Sequence, residues 1–126
     1  MSNRCLFSII ESPIHPNFSQ IYEENDIDEV RFNSIRKALA GLKKQKPDYV
    51  VAEFFYGYGN NYAGVNISNL DVLFYSLQKY APKARIIVMV DKKERKYVDK
   101  LNDILPIYGI LQFPFPLTAI KTLISV

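Results

Sequence analysis

Residues 47–53 read PDYVVAE, a proline and an aspartate followed by an apolar run that ends on a carboxylate. A run of this length, rich in β-branched and aromatic side chains, predicts a strand buried on both faces, as in parallel sheets. Just upstream, Ile35, Ala38, Leu39 and Leu42 follow the i, i+3, i+4, i+7 spacing of an amphipathic helix. A helix that leads directly into a buried strand indicates a chain built from alternating helices and strands.

The same two patterns alternate along the whole chain. Short apolar runs predict strands at residues 6–10, 49–55, 85–90 and 107–113, with one more marked by Val30 and Phe32. Helices are predicted within residues 16–24 and at 35–42, 70–77, 98–105 and 117–126, the first and fourth of them on weaker patterns. The resulting βαβαβαβαβα order predicts an α/β fold with a five-stranded parallel sheet, helices on both faces and the flavodoxin-like strand order 2-1-3-4-5.

Composition narrows the class of protein. At 126 residues the chain is expected to form a single domain, and its net charge of +3 is too small to predict nucleic-acid binding. A single cysteine, Cys5, cannot form an internal disulfide, and no apolar run could span a bilayer, so we expect a cytoplasmic protein without a membrane partner. Catalysis has no support, since the one histidine, His15, has no clearly placed serine or cysteine beside it.

The segments at residues 35–53, 84–90 and 109–115 together carry a family pattern. The first has an amphipathic helix, a lysine-rich end, Pro-Asp, a strand and then an acid, and the others look like a fourth and a fifth strand. This pattern resembles response-regulator receiver domains. The resemblance implies a three-layer flavodoxin-like (CheY-like) sandwich and places Glu53 at the phosphoacceptor position. Residues 1–126 would form one receiver-like domain, either on its own or as the N-terminal domain of a longer regulator.

The remaining receiver-site positions depart from the family pattern. Receivers hold Mg²⁺ with two acids after the first strand, where this chain has Ile10 and Glu11. The hydroxyl that ends the fourth strand is replaced by Val90, and the lysine that ends the fifth by Phe113. Since phosphoryl transfer depends on charge neutralisation, we expect no ordinary phosphorylation of Glu53, no metal and no cofactor.

These departures predict a pseudo-receiver, a non-enzymatic signalling module of two-component type. Its output would come from contacts with proteins, including a second copy of itself. Two interpretations of Glu53 stay open. Its longer side chain could mimic a phospho-aspartate, or it could be a plain strand-end carboxylate that is solvated or paired with a lysine such as Lys92.

The loop at residues 54–64 is the second unusual feature, because it combines glycine with aromatic and asparagine side chains typical of binding loops. The candidate contact residues are Phe55, Tyr56, Tyr58, Asn60, Asn61 and Tyr62. The alternative function is therefore a flavodoxin-like domain that binds a small molecule or nucleotide through this loop. Gly59 and Gly64 have Walker-like spacing, but the Lys-Ser/Thr that completes a phosphate-binding motif does not follow them. By resemblance, Tyr97 and Tyr108 are a candidate protein interface.

Overall fold

The five predicted strands form one parallel sheet. The computed structural model describes residues 4–10, 18–55, 70–113 and 117–124. The strands are β1 (Arg4–Ile9), β2 (Ile27–Phe32), β3 (Tyr49–Glu53), β4 (Arg85–Val90) and β5 (Gly109–Gln112). Their order is β2-β1-β3-β4-β5, and every neighbouring pair is parallel. The predicted flavodoxin-like order 2-1-3-4-5 is confirmed.

Helices follow each of the strands. They are α1 (Ser19–Glu24), α2 (Ile35–Leu42), α3 (Asp71–Tyr80), α4 (Arg95–Val98) and α5 (Leu117–Ile124). The loosely patterned segment after β4 is not one helix, since 3₁₀ turns at Lys92–Glu94 and Asp99–Asp103 flank the single turn of α4. Val98, Leu101 and Leu105 are nevertheless all buried, so the predicted apolar spacing still anchors this segment to the core. None of the helices in the described ranges is long and apolar enough to cross a bilayer.

The core lies on both faces of the sheet. Residues 5, 7 and 9 of β1 and the matching positions of β3 and β4 pack against α2, α3 and the segment around α4. The alternate residues, among them Leu6, Tyr49, Val51 and Met89, pack against α1 and α5. Because successive side chains of a strand point to opposite faces, a continuous apolar run supplies both layers. The three-layer sandwich is confirmed.

β4 has the predicted limits, whereas the other strands differ from theirs by one to three residues at one or both ends. β3 ends at Glu53 and not at residue 55, and β5 is limited to Gly109–Gln112. β2 is longer than predicted because it lies at the edge of the sheet, where Asp28 and Arg31 are exposed and interrupt the apolar pattern. An edge strand needs no apolar run on both faces, and periodicity alone underestimates its length.

Candidate functional site

The carboxyl edge of the sheet brings the predicted receiver-site positions together. Glu53 ends β3 and Val90 ends β4. Phe113 follows β5 and donates its N–H to the carbonyl oxygen of Val90 at 2.9 Å. Ile10 follows β1 and donates its N–H to the carbonyl oxygen of Phe32 at 3.0 Å. Parallel strands end at one edge, so residues far apart in sequence converge here, as the resemblance implies.

The side chains at the ends of β4 and β5 are apolar. Val90 is 1% exposed and packs into the core on the α2 and α3 face, whereas Phe113 is 47% exposed. Neither residue has a hydroxyl, an amine or any other side-chain group that could donate a hydrogen bond to a phosphoryl oxygen. These two positions therefore offer no electrostatic stabilisation to an anion at this edge.

Glu53 is a buried carboxylate, with only 8% of the residue exposed. It is in register with Met89 of β4, and the alternation along β3 places it on the same face as Tyr49 and Val51. Burial counts against full solvation of this carboxylate, and the pairing of Glu53 with a lysine such as Lys92 stays a prediction. The interpretation of Glu53 as a phospho-aspartate mimic also stays a prediction.

Other carboxylates do not assemble into a metal site within the described ranges. No group of three or more histidine, cysteine, aspartate or glutamate side chains could hold an ion there. Asp91 follows β4 at the same edge, but it is exposed and one of its carboxylate oxygens accepts the N–H of Lys93 at 3.0 Å. Glu11, the acid predicted to remain from the metal-binding pair, lies outside the described residues.

A cavity of about 310 Å³ opens beside Ile10, at the carboxyl ends of β1 and β2. Its lining includes Arg31, Asn33 and Lys37, so cations face the edge from the β2 side. No pattern in the sequence indicates this cavity. It is created by the turn from β2 into α2, which brings two separately patterned elements together.

Only part of the predicted binding loop lies within the described residues. Phe55 is half-buried just beyond β3. The other predicted contact residues of the loop, all outside the described ranges, are Tyr56, Tyr58, Asn60, Asn61 and Tyr62.

The two predicted interface tyrosines have different surroundings. Tyr97 is half-buried on α4, where it packs against the core. Tyr108 is 42% exposed, and its ring centroid lies 6.5 Å from that of Tyr49. The guanidinium carbon of Arg85 is 5.2 Å from the Tyr108 centroid. Tyr108 thus belongs to a cluster at the amino end of the sheet, which was not among the predicted sites.

This amino-edge cluster centres on Tyr49. Its hydroxyl accepts hydrogen bonds from Arg4 at 2.9 Å and from Arg85 at 3.3 Å. Arg4 also donates to the carbonyl oxygens of Ile124 at 2.8 Å and Asn25 at 2.9 Å. Two residues could have indicated this cluster from the sequence: Arg4, which opens β1, and Arg85, which opens β4. Parallel strands begin at one edge of a sheet just as they end at one edge.

Comparison with solved structures identifies the fold. No protein-family model matches the sequence, and no curated protein matches it. The receiver domain of an HD domain-containing protein from Pseudomonas fluorescens Pf-5 has a TM-score of 0.73 and 13% identity, over 97% of this chain and 91% of that one. The receiver domain of a LuxO repressor protein from Vibrio parahaemolyticus gives 0.73 and 14%, over 96% and 86%.

Chemotaxis protein CheY4 from Vibrio cholerae is similarly close, with a TM-score of 0.72 and 12% identity over 96% of this chain and 95% of that one. At identities this low, structural likeness shows the architecture alone, and the chemistry of each position depends on this chain's own residues. The strand order, the three layers and these likenesses lead to one conclusion: the chain has the fold of response-regulator receiver domains.

Proposed function

We propose that this chain is a receiver-like signalling module that works through protein contacts and is not phosphorylated on Glu53 in the usual way. One observation carries the proposal: Val90 and Phe113 stand at the ends of β4 and β5, where a hydroxyl and a lysine would be needed. It is also supported by the likeness of the fold to receiver domains.

The expected loss of phosphorylation follows from electrostatics. Removing one preorganised donor to a developing negative charge costs on the order of 10²–10³ in rate, and two such groups are missing here. Glutamate also carries its carboxylate one methylene further than aspartate, a displacement of about 1.5 Å. A misplacement of about 1 Å can cost a further 10²-fold. Glu53 is therefore expected to remain unmodified.

The phosphorylation claim can be tested with acetyl phosphate or beryllofluoride in the presence of Mg²⁺. We expect an unchanged intact mass and unchanged amide chemical shifts around residues 53, 90 and 113. The Glu53→Gln variant is the control, since it should behave like the wild type. A phospho-adduct that appears in the wild type and is absent from the variant would overturn the proposal.

The contact surface is proposed to include Phe113, whose ring is exposed beside the ends of β4 and β5. A second copy of the chain is one protein that this surface would bind. Apolar rings fixed at a rigid sheet edge supply large contact area at little entropic cost. The free, buried Cys5 supports the cytoplasm as the location of this binding.

Sedimentation at several concentrations tests self-association. We expect the apparent mass to rise with concentration, and Phe113→Ser to weaken the association. Tyr75→Ser is the matched control, because Tyr75 is an aromatic residue of similar exposure (58%) on α3. Equal weakening by both variants, or a monomer at all concentrations, would contradict a dimer that uses Phe113.

A further inference from the structure

We infer that the amino edge of the sheet, opposite the receiver-site positions, binds a small polyanion that carries phosphate groups. A cavity of about 690 Å³ opens there. Its lining includes four basic residues, Arg4, Lys46, Lys83 and Arg85, and one acidic residue, Asp48. The inference concerns another edge of the sheet and does not depend on the proposed function.

Positive charge is concentrated in this cavity. Its four cations and one carboxylate leave a formal charge of +3, which equals the net charge of the whole chain. Neither of the two salt bridges formed between described residues involves any of these four cations. A concave surface with an excess of one sign of charge raises the local concentration of counter-ions. The remaining charges of the chain sum to zero, so the excess of positive charge in this cavity equals that of the whole chain.

The one acidic residue is held in a structural role. The Asp48 carboxylate accepts the backbone N–H of Cys5 at 2.8 Å, and the backbone groups of Asp48 bond to Cys5 and Arg85. These bonds fix the starts of β1, β3 and β4. Neither salt bridge formed between described residues pairs Asp48 with one of these cations, so the cations stay available to a ligand.

The four cations do not all have the same role. Arg4 donates to the carbonyl oxygens of Asn25 and Ile124 at the ends of α1 and α5, where a cation favours the helix dipoles. Arg4 contributes positive charge to the cavity, but its guanidinium is already used in these hydrogen bonds. Lys46 and Lys83 are exposed and make no hydrogen bond to other described residues. They can therefore turn towards a ligand.

Arg85 is the preorganised member of the cluster. Its guanidinium carbon lies 5.9 Å from the Tyr49 ring centroid and 5.2 Å from that of Tyr108, and Nη1 donates to the Tyr49 hydroxyl. Aromatic rings hold its plane while its other N–H groups stay available. A guanidinium fixed in this way can form a bidentate pair with a phosphate at a reduced entropic cost.

The size of the cavity and its charge together define the ligand. Sites for small molecules usually measure about 300–1,000 Å³, so the cavity suits a ligand of metabolite size. Lys46, Lys83 and Arg85 are available to the ligand, and Arg4 adds its charge. Together they favour more than one negative charge on the ligand. A planar guanidinium fork favours oxygens spaced as in a phosphate. Pyrophosphate is the simplest probe with these properties.

The test is a titration of ¹⁵N-labelled protein with pyrophosphate at low salt. We expect saturable amide shifts grouped at residues 46–48 and 83–85. The double variant Lys46→Gln, Lys83→Gln should weaken binding at least about tenfold, since each charge-assisted bond contributes substantially. Both lysines are exposed, so the variant is expected to fold, which the retained amide spectrum will show.

The matched control is Lys92→Gln, Lys93→Gln, which removes the same charge from two exposed lysines at the carboxyl edge. It should leave the affinity within about twofold. Equal losses in both double variants would mean a non-specific charge effect and would overturn the inference. It would also be overturned by the absence of saturable shifts at millimolar pyrophosphate, or by citrate binding as tightly as pyrophosphate.

Discussion

Replacing Arg4 with methionine tests how the ends of the chain are held to the sheet. Arg4 opens β1 and donates to the Tyr49 hydroxyl and to two carbonyl oxygens, those of Asn25 after α1 and Ile124 at the end of α5. The three distances are 2.8 to 2.9 Å. One guanidinium thus connects the first strand with the first helix, the third strand and the last helix.

The expected cost is a free energy of unfolding lowered by about 2–3 kcal/mol. Hydrogen bonds from a charged donor contribute about 1.5–3 kcal/mol each, but the two carbonyls lie at helix ends where water can replace the donor. The Tyr49 hydroxyl keeps the N–H of Arg85, and methionine keeps most of the apolar packing of the arginine stem. About one bond is therefore lost in full, which lowers Tm by about 8–12 °C in a chain of this length.

Equilibrium urea unfolding and thermal unfolding both measure this change. Arg36→Met is the control, because Arg36 is an exposed residue of α2 without a hydrogen bond or salt bridge to other described residues. Arg4→Lys keeps the charge and at most one bond, so about half of the loss should remain. If Arg4→Met and Arg36→Met differ by less than about 0.5 kcal/mol, the bonds of Arg4 make no net contribution and the reasoning fails.

Three further changes test the interior. Burial, reinforced by the charge of Glu29, raises the pKa of Tyr22, whose hydroxyl has no hydrogen-bond partner among the described residues. The stability that the neutral hydroxyl contributes is complete below the unfolded-state pKa of about 10 and is lost as the pH rises above it. Tyr22→Phe should therefore be as stable as the wild type at neutral pH, or more stable by about 1 kcal/mol, and should lose less stability in urea titrations at alkaline pH. Gly41→Ala gains about 1 kcal/mol of helix propensity but places Cβ 2.7 Å from Phe32 Cζ. A net loss of about 1–2 kcal/mol is expected, and Phe32→Leu should remove it. Burial, followed by the charge of Asp48, raises the pKa of Cys5, so alkylation should be at least about tenfold slower in the folded than in the unfolded protein.

Each of these three experiments has a clear contrary result. Equal alkaline destabilisation of wild type and the Tyr22 variant would mean that the hydroxyl is solvated. A stabilised Gly41 variant would mean that the Phe32 ring moves aside at no cost. Rapid labelling of Cys5 in the folded protein would mean that the amino end of β1 opens easily.

The fold could be predicted because its signals are local and repeated. Apolar runs predicted β3 and β4, and helical spacing predicted α2 and α3, since buried strands and amphipathic helices impose different periods on the chain. Prediction was weaker where those periods are mixed or interrupted. The segment around α4 alternates between 3₁₀ and α turns, and exposed charges interrupt the apolar pattern of the edge strand β2.

The candidate site could be predicted only in part. Resemblance indicated which residues end β3 and β4, and the structure brings Glu53, Val90 and Phe113 to one edge. Burial of Glu53 could not be predicted, because a carboxylate at a strand end is equally consistent with a solvated position. Burial depends on helices and neighbouring strands contributed by distant parts of the chain.

From the order of its residues alone, the chain specifies a parallel sheet between helical layers, because periodicity and connection order are properties of neighbouring residues. Tertiary structure alone decides which charges become neighbours. Arg4 opens β1, Lys46 precedes β3, and Lys83 and Arg85 lie at the start of β4. They form one basic cavity only when the parallel strands begin at a common edge. Charges interact through space, so strand order, and not distance along the sequence, decides which charged residues act together.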